Sequence, residues 1–400
     1  MPENKTSIRF SLPHNWQPDL VESLNLDCVE GFYGKLATDI IGGGRASNIC
    51  PPVSRETINN EIKKIHQKGL VFNYLLNSTC LDNQELYITK KLHKFIGWLD
   101  QISVDSITVS LPYLFMFIKS NYPRFKISIS VMTEVDTPDK AKYWQDLGAE
   151  KITLYESKVN RDLDLIRKIR KAVKCKLQLI VNNGCLYDCP VSIFHGFLTS
   201  HASQDNHLLR GFAIDFYRIM CTYSKISNPA NFLRGDFIRP EDVHLYEELG
   251  IDSLKIVNRG MSTQALSRII NAYDAREYKG NLLDLLPTPD KNMNFKKRNL
   301  FYLAKYFFRP GLVNIFNLVK LKNIFSSIWD NIYIDNVKLD GFLQKLQEKG
   351  CNRRICSECK WCAEVASKVV VMDTEKAEQA VRENKELIDK LVSGDFFRYF

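Results

Sequence analysis

No uninterrupted apolar stretch of this 400-residue chain is long enough to span a bilayer, and its first residues, MPENKTSIRFSLPHNW, have neither the basic start nor the apolar centre of a secretory signal. A cytoplasmic protein is therefore expected. There is no GxGxxG turn to mark a dinucleotide site, no HExxH pair for a zinc protease and no GxSxG elbow for a serine hydrolase. Glycines do cluster in IIGGGRAS (40–47), but without nucleotide-binding spacing, so the stretch reads as a flexible turn.

Disulfides are a further expected absence, because eleven cysteines in a reducing compartment are poor candidates for pairing. Clustered thiols then read as metal-binding or catalytic, and isolated ones such as Cys80 and Cys175 as small buried hydrophobes. Net charge is also scarce along most of the chain. The net charge is +9, yet eight Lys/Arg against a single Asp fall between Lys291 and Asp330, which leaves the rest close to neutral. An anionic partner would meet residues 291–330, whose interleaved aromatics suit stacked RNA bases or an anionic membrane surface. The same segment could instead pack its Phe and Leu on the protein and turn its Lys to water.

What is present is a repeated alternation of strand and helix patterns. Strand candidates are LDCVEGFYG (26–34), VFNYLLN (71–77), SITVSLP (106–112), KISISVMTEV (126–135), KITLYES (151–157), KLQLIVNN (176–183), GFAIDFY (211–217) and SLKIVNRG (253–260). Helix patterns lie between them, such as SRETINNEIKKIHQKG opened by Ser54, and NRDLDLIRKIRKAVK with acids early and bases late. Several strands read as apolar on both faces, as a helix-covered parallel sheet requires. An α/β fold built as a (β/α)8 TIM-like barrel is the first reading, and an open doubly wound sheet the second. The expected organisation is a barrel over 1–287, a basic aromatic helical segment over 288–345, and a C-terminal extension over 346–400. The extension holds a four-cysteine motif and a last helix.

That motif is CNRRICSECKWC, which places Cys351, Cys356, Cys359 and Cys362 close enough in sequence to wrap one metal centre. A [4Fe–4S] cluster is the first reading of the compact spacing, and a structural zinc clasp the alternative. A second group starts at Cys185 and Cys189, in VNNGCLYDCPVSIFH after a strand candidate, on the face where barrels carry their active sites. Cys221 follows another strand candidate and could join them, with Cys28, Cys50 or His195 as a fourth ligand. Polar residues at other strand ends would line the same mouth: Glu30, Tyr33, Asn73, Asn77, Glu134, Glu156 and Arg259.

DCVEGFYG, VNNGCLYDCPVSIFH, YRIMC, FIRPEDVHLYEELGIDSLKIVNRG and AYDAREYKGNLLDL together give the chain a resemblance to the peptidase U32 family over roughly residues 20–285. The resemblance implies a barrel. From the better-understood relatives it also implies a [4Fe–4S] cluster held by cysteines, carried over to Cys185, Cys189 and Cys221, and a role in oxygen-independent hydroxylation of ubiquinone or RNA. The C-terminal four-cysteine group departs from that pattern and raises the prospect of two clusters. The expectation is an iron–sulfur protein working on a small molecule, RNA or peptide, with Glu30, Tyr33, Asn73, Glu134 and Arg259 at the substrate. A redox partner or a paired family member would accompany it. The rivals are a peptidase or peptide-maturation enzyme and an RNA- or membrane-binding accessory protein.

Overall fold

Eight short parallel strands pair in chain order and close on themselves: β1 (Arg9–Pro13), β2 (Val29–Gly34), β3 (Val71–Leu76), β4 (Ser106–Val109), β5 (Lys126–Ile129), β6 (Lys151–Thr153), β7 (Lys176–Ile180) and β8 (Ser253–Lys255). The closing contact joins β1 to β8 through Arg9 with Ser253 and Ser11 with Lys255. The computed structural model describes residues 8–209, 211, 213–288, 317, 329–351 and 355–397. Closure selects the barrel over the open doubly wound sheet.

Two strand assignments change. RFSLP forms β1, although it is short and has no helix pattern ahead of it to frame it. GFAIDFY is not a strand, because the Asp215 carboxylate accepts the Arg218 N–H and starts a helix at Phe216. Small polar caps do the same elsewhere, as Ser54, Thr137, Asp162 and Ser262 accept backbone N–H groups at their helix starts.

The strands are not apolar on both faces. Phe10, Leu12, Phe32, Phe72, Ile107, Val109, Ile127, Ile129, Ile152, Leu177, Leu179 and Leu254 are buried outward, in one core with the surrounding helices. Their neighbours point inward and form a polar network. Lys151 donates to Glu30 across the barrel at 2.6 Å, and Gln178 reaches both Glu30 and Ser253. Thr153 donates to Gln178, and Asn73 joins Ser106 to Thr108. Strand alternation with a period of two explains the pattern: the polar members of runs such as KLQLI all fall on one face. At Gly31 a Cβ would lie 2.3 Å from the Val71 carbonyl, so β2 and β3 can approach here only without a side chain.

Helices α1 (Arg55–Gln67), α2 (Thr89–Gln101), α3 (Pro112–Asn121), α4 (Pro138–Leu147) and α5 (Leu163–Ala172) cover the first strands in turn. Between β7 and β8 the chain makes a longer excursion through α6 (Ser192–His201), α7 (Phe216–Ser227) and α8 (Val243–Glu248), and α9 (Thr263–Ala275) follows β8.

The C-terminal region is helical, with α10 (Phe342–Lys349), α11 (Trp361–Val369) and α12 (Thr374–Ser393). It also holds a small antiparallel sheet, β9 (Ile332–Ile334) with β10 (Val370–Met372), which crosses the expected division at 345/346. Arg239 docks this region on the barrel. Its buried guanidinium donates to Asn336 Oδ1 at 3.0 Å, the Leu339 carbonyl at 2.6 Å and Asp340 at 2.5 Å. Helix α12 rests on α7, where Leu387 and Phe396 bury against Ile219. Of the basic segment 291–330, all but Asn317, Trp329 and Asp330 lies outside the described residues, and so do its expected RNA or membrane contacts. Among the described residues no helix is long and apolar enough to cross a membrane.

Candidate functional site

The loop after β7 is pinned before it presents its thiols. Tyr187 N–H donates to the Arg234 carbonyl at 2.8 Å, Ser157 Oγ donates to the Leu186 carbonyl at 2.7 Å, and Leu186 bridges to Gly235. Asp188 takes a left-handed conformation, with φ of 50°, to let the chain turn between the two cysteines. Cys185 and Cys189 are therefore held by backbone bonds to the loop after β6 and to the segment after α7. Cys221 comes from α7, not from a strand end as expected, yet it reaches the same region.

The surrounding protein pushes the Cys185 thiol well up, and the charges of Asp236, Glu156 and Cys221 add to it. Cys189 is raised first by burial and then by Cys221 and Asp236. Asp236 is the unforeseen member. It is fully buried, neither of its carboxylate oxygens has a hydrogen-bond partner, and its own N–H donates to the Cys185 carbonyl at 2.9 Å. Burial holds its carboxyl well above the usual range. Cys185, Cys189 and Cys221 are thiol donors of the kind an iron–sulfur centre takes, and a cationic group there would offset the repulsion of thiolates beside the Asp236 carboxyl.

The suggested fourth ligands lie as follows. His195 Nε2 is 3.0 Å from Asp215 Oδ2. Cys28 precedes β2 and sits at the amino end of the barrel beside Asp274, at the opposite end from Cys185. Cys50 is buried next to the Lys35 side of the mouth.

The C-terminal thiols also form a group. Cys356 and Cys359 bracket a single helical turn, Lys360 turns the chain at φ 53°, and Cys362 enters α11. Burial raises Cys351, and so do Cys362, Cys356 and Cys359, so Cys351 lies in the field of the other three thiols. This group adjoins the first. Tyr187, midway between Cys185 and Cys189, lies in the field of Cys351, and Arg161 acts on Tyr187, Cys351 and Cys362 alike.

Inside the mouth the dominant feature is Lys255, at the carboxyl end of β8. Its Nζ stands 4.1 Å from the centre of the Tyr33 ring. Burial, followed by the charges of Lys151 and Arg259, brings its pKa down to about 7. Tyr33 is buried, donates to the Ile256 carbonyl at 2.8 Å, and has its phenol held up by burial. Arg259 is 5% exposed, and among the described residues no hydrogen bond or ion pair claims its guanidinium. Glu156, raised by burial, accepts from Asn183 at 2.8 Å. Glu134 accepts from Ser192 Oγ at 3.1 Å, and Ser192 also meets the Tyr155 hydroxyl. Asn182 ties the ends of β7 and β8 together through both directions of a bond to Val257.

Two expected mouth residues lie deeper. Glu30 is the second residue of β2, so it sits toward the amino end of the barrel, paired with Lys151. Asn73 is bound within the inner network to Ser106 and Thr108. The glycine run is a turn but a fixed one. Asp39 Oδ1 accepts from Ile41 and Gly42, Ser203 Oγ accepts from Gly43, and Gly42 has φ of 77°. It brings Arg45 close enough to act on Tyr33 and Glu156. Sequence reasoning missed Lys255 and Lys151, although the alternation in SLK and KIT marks both as inward positions. Nothing in the sequence marked Asp236.

A closed parallel barrel with a polar interior and a thiol-bearing loop at its carboxyl end defines a (β/α)8-barrel protein with a candidate site at the strand ends. The model of Peptidase family U32 matches residues 25–280, and the chain belongs to that family. It is 31% identical over 336 residues to "Uncharacterized protease MJ1657" of Methanocaldococcus jannaschii, covering 83% of this chain and 86% of that protein. Among solved structures it is similar to the U32 peptidase Mk0906, with a TM-score of 0.48 and 22% identity over 64% of this chain and 95% of that one. It is also similar to the homocysteine methyltransferase MmuM of Escherichia coli, with a TM-score of 0.36 and 7% identity over 68% and 97%.

Proposed function

We propose that this U32 protein is an iron–sulfur protein taking part in oxygen-independent hydroxylation, or a related redox modification, of an anionic substrate held in the barrel mouth. The observation that carries the reading is the adjacency of the two thiol groups. Tyr187, in the loop that carries Cys185 and Cys189, lies in the field of Cys351, and Arg161 acts on Tyr187, Cys351 and Cys362. Bound iron–sulfur clusters supply one-electron transfer. The chain's own residues bind and orient. Arg259 and Arg45 meet substrate anions, and Lys255 offers an amine able to take or give a proton near neutral pH. Glu156, raised by burial to about 7, can take or give a proton beside Asn183.

Preparation under strict exclusion of oxygen, followed by iron and sulfide analysis and visible absorption, tests this reading. Iron with matching sulfide, lost in C185A or C356A, supports it. Zinc in place of iron at those thiols would sink it.

A second reading, hydrolysis of a peptide bond, draws on the same lysine, whose amine could serve as a general base, and on the name of the M. jannaschii relative. Cleavage of a peptide library that survives C185A but not K255M would favour it.

A further inference from the structure

Cys80 does not sit in the core as an isolated thiol. It is half-buried in the loop after β3, on the rim of the barrel, with Asp82 and His201 beside it. One ligand atom from each of the three lies within 4.8 Å of the others. His201 Nε2 is 3.1 Å from Asp82 Oδ1, and Cys80 Sγ is 3.9 Å from the same oxygen. A tetrahedral centre with bonds of about 2.0–2.3 Å has ligand-to-ligand edges of roughly 3.3–3.8 Å. The two observed separations bracket that range.

His201 Nε2 is shut off from solvent and makes no hydrogen bond, despite its closeness to Asp82. Its lone pair is thus available to something other than the carboxylate. The supports are rigid. His201 closes α6, Thr79 N–H donates to Ser200 Oγ at 3.0 Å, and Gln204 Nε2 donates to the Cys80 carbonyl at 2.6 Å and to Ser78 Oγ at 3.1 Å. Asp82 and Asn83 both take left-handed conformations, φ 52° and 57°, which fold the carboxylate back toward the thiol. Such outer contacts fix ligands before a metal arrives.

We infer that Cys80, Asp82 and His201 form a site for a divalent transition metal, zinc by its mixed sulfur, nitrogen and oxygen donors, separate from the cysteine groups of the mouth and the C-terminus. Binding releases the Cys80 thiol proton to solvent as the sulfur–metal bond forms. His207 stacks on His201 with ring centres 4.3 Å apart. Its Nδ1 accepts from the Leu209 N–H, which leaves the ring proton on Nε2, 3.5 Å from Asp82 Oδ2, so His207 orients the carboxylate and is not itself a ligand. The metal would clasp the loop after β3 to the end of α6.

The test uses the full chain, purified without oxygen, dialysed against zinc and then against buffer, with zinc, iron and sulfide measured in the same samples. Wild type should retain about one zinc per chain that C80A, H201A and D82N each lose, with iron and sulfide unchanged. Cobalt substitution should give a thiolate-to-cobalt band that disappears in C80A. Equal zinc in wild type and all three variants, or none in wild type, overturns the inference. D82N keeps shape and volume, and circular dichroism of each variant separates metal loss from unfolding.

Discussion

Lys255 Nζ lies 4.1 Å from the centre of the Tyr33 ring, inside a barrel in which Lys151 is paired with Glu30. The aromatic face gives Lys255 some cation stabilisation, but burial outweighs it and leaves the amine with a pKa of about 7.

Lys255 should therefore label far more readily than surface lysines near pH 8. Its neutral fraction there is roughly two-hundred-fold larger than that of an ordinary lysine. Competitive reductive methylation read by mass spectrometry across pH would give its midpoint. K151M removes a neighbouring positive charge and should move that midpoint up, whereas E30Q removes a negative one and should move it down. A midpoint equal to that of surface lysines would contradict the account of the mouth.

The same shift has a stability signature. The unfolded chain holds the Lys255 proton up to 10.5 and the folded chain only up to about 7, so between those values the unfolded state binds more protons. Stability should rise with pH across that window. K255M, which never pays this charge penalty, should exceed wild type most below pH 7, with the gap narrowing toward alkaline pH. Denaturant melts at a series of pH values check the sign.

Arg239 should be the strongest single anchor of the C-terminal region. R239A leaves the buried Asn336 without its donor and the half-buried Glu241 without its cation, and should cost about 3 kcal/mol. Limited proteolysis should then cut ahead of α10 before it cuts the barrel. Unchanged melting and cleavage would show that the docking lies elsewhere.

Gly31 to alanine should prevent proper closure between β2 and β3, because the added carbon would overlap the Val71 carbonyl. The expected outcome is insoluble protein or a loss of several degrees in melting temperature. A soluble variant with wild-type stability would show that the strands can part at no cost.

The barrel was legible because helices and strands alternate with caps such as Ser54 at the joins. RFSLP escaped notice because five residues carry little periodic signal, and GFAIDFY misled because local hydrophobicity does not register the helix-starting role of Asp215. Cys185 with Cys189, and the four C-terminal cysteines, stood out by their spacing, whereas Cys221 joins the first pair from α7. Cys80 and His201 were not, since their meeting depends on how the loop after β3 packs on α6. Glu30 was misplaced for a different reason. A residue near a strand can lie at either end of a barrel, and only the register fixes which.

The most direct measurement is iron and acid-labile sulfide per chain in the anaerobically purified protein, beside C185A and C356A. We expect equal amounts of iron and sulfide, about four per cluster, with each variant losing its own cluster and keeping the other. Protein without iron, or zinc lost on C356A where iron should have been, would contradict the iron–sulfur account.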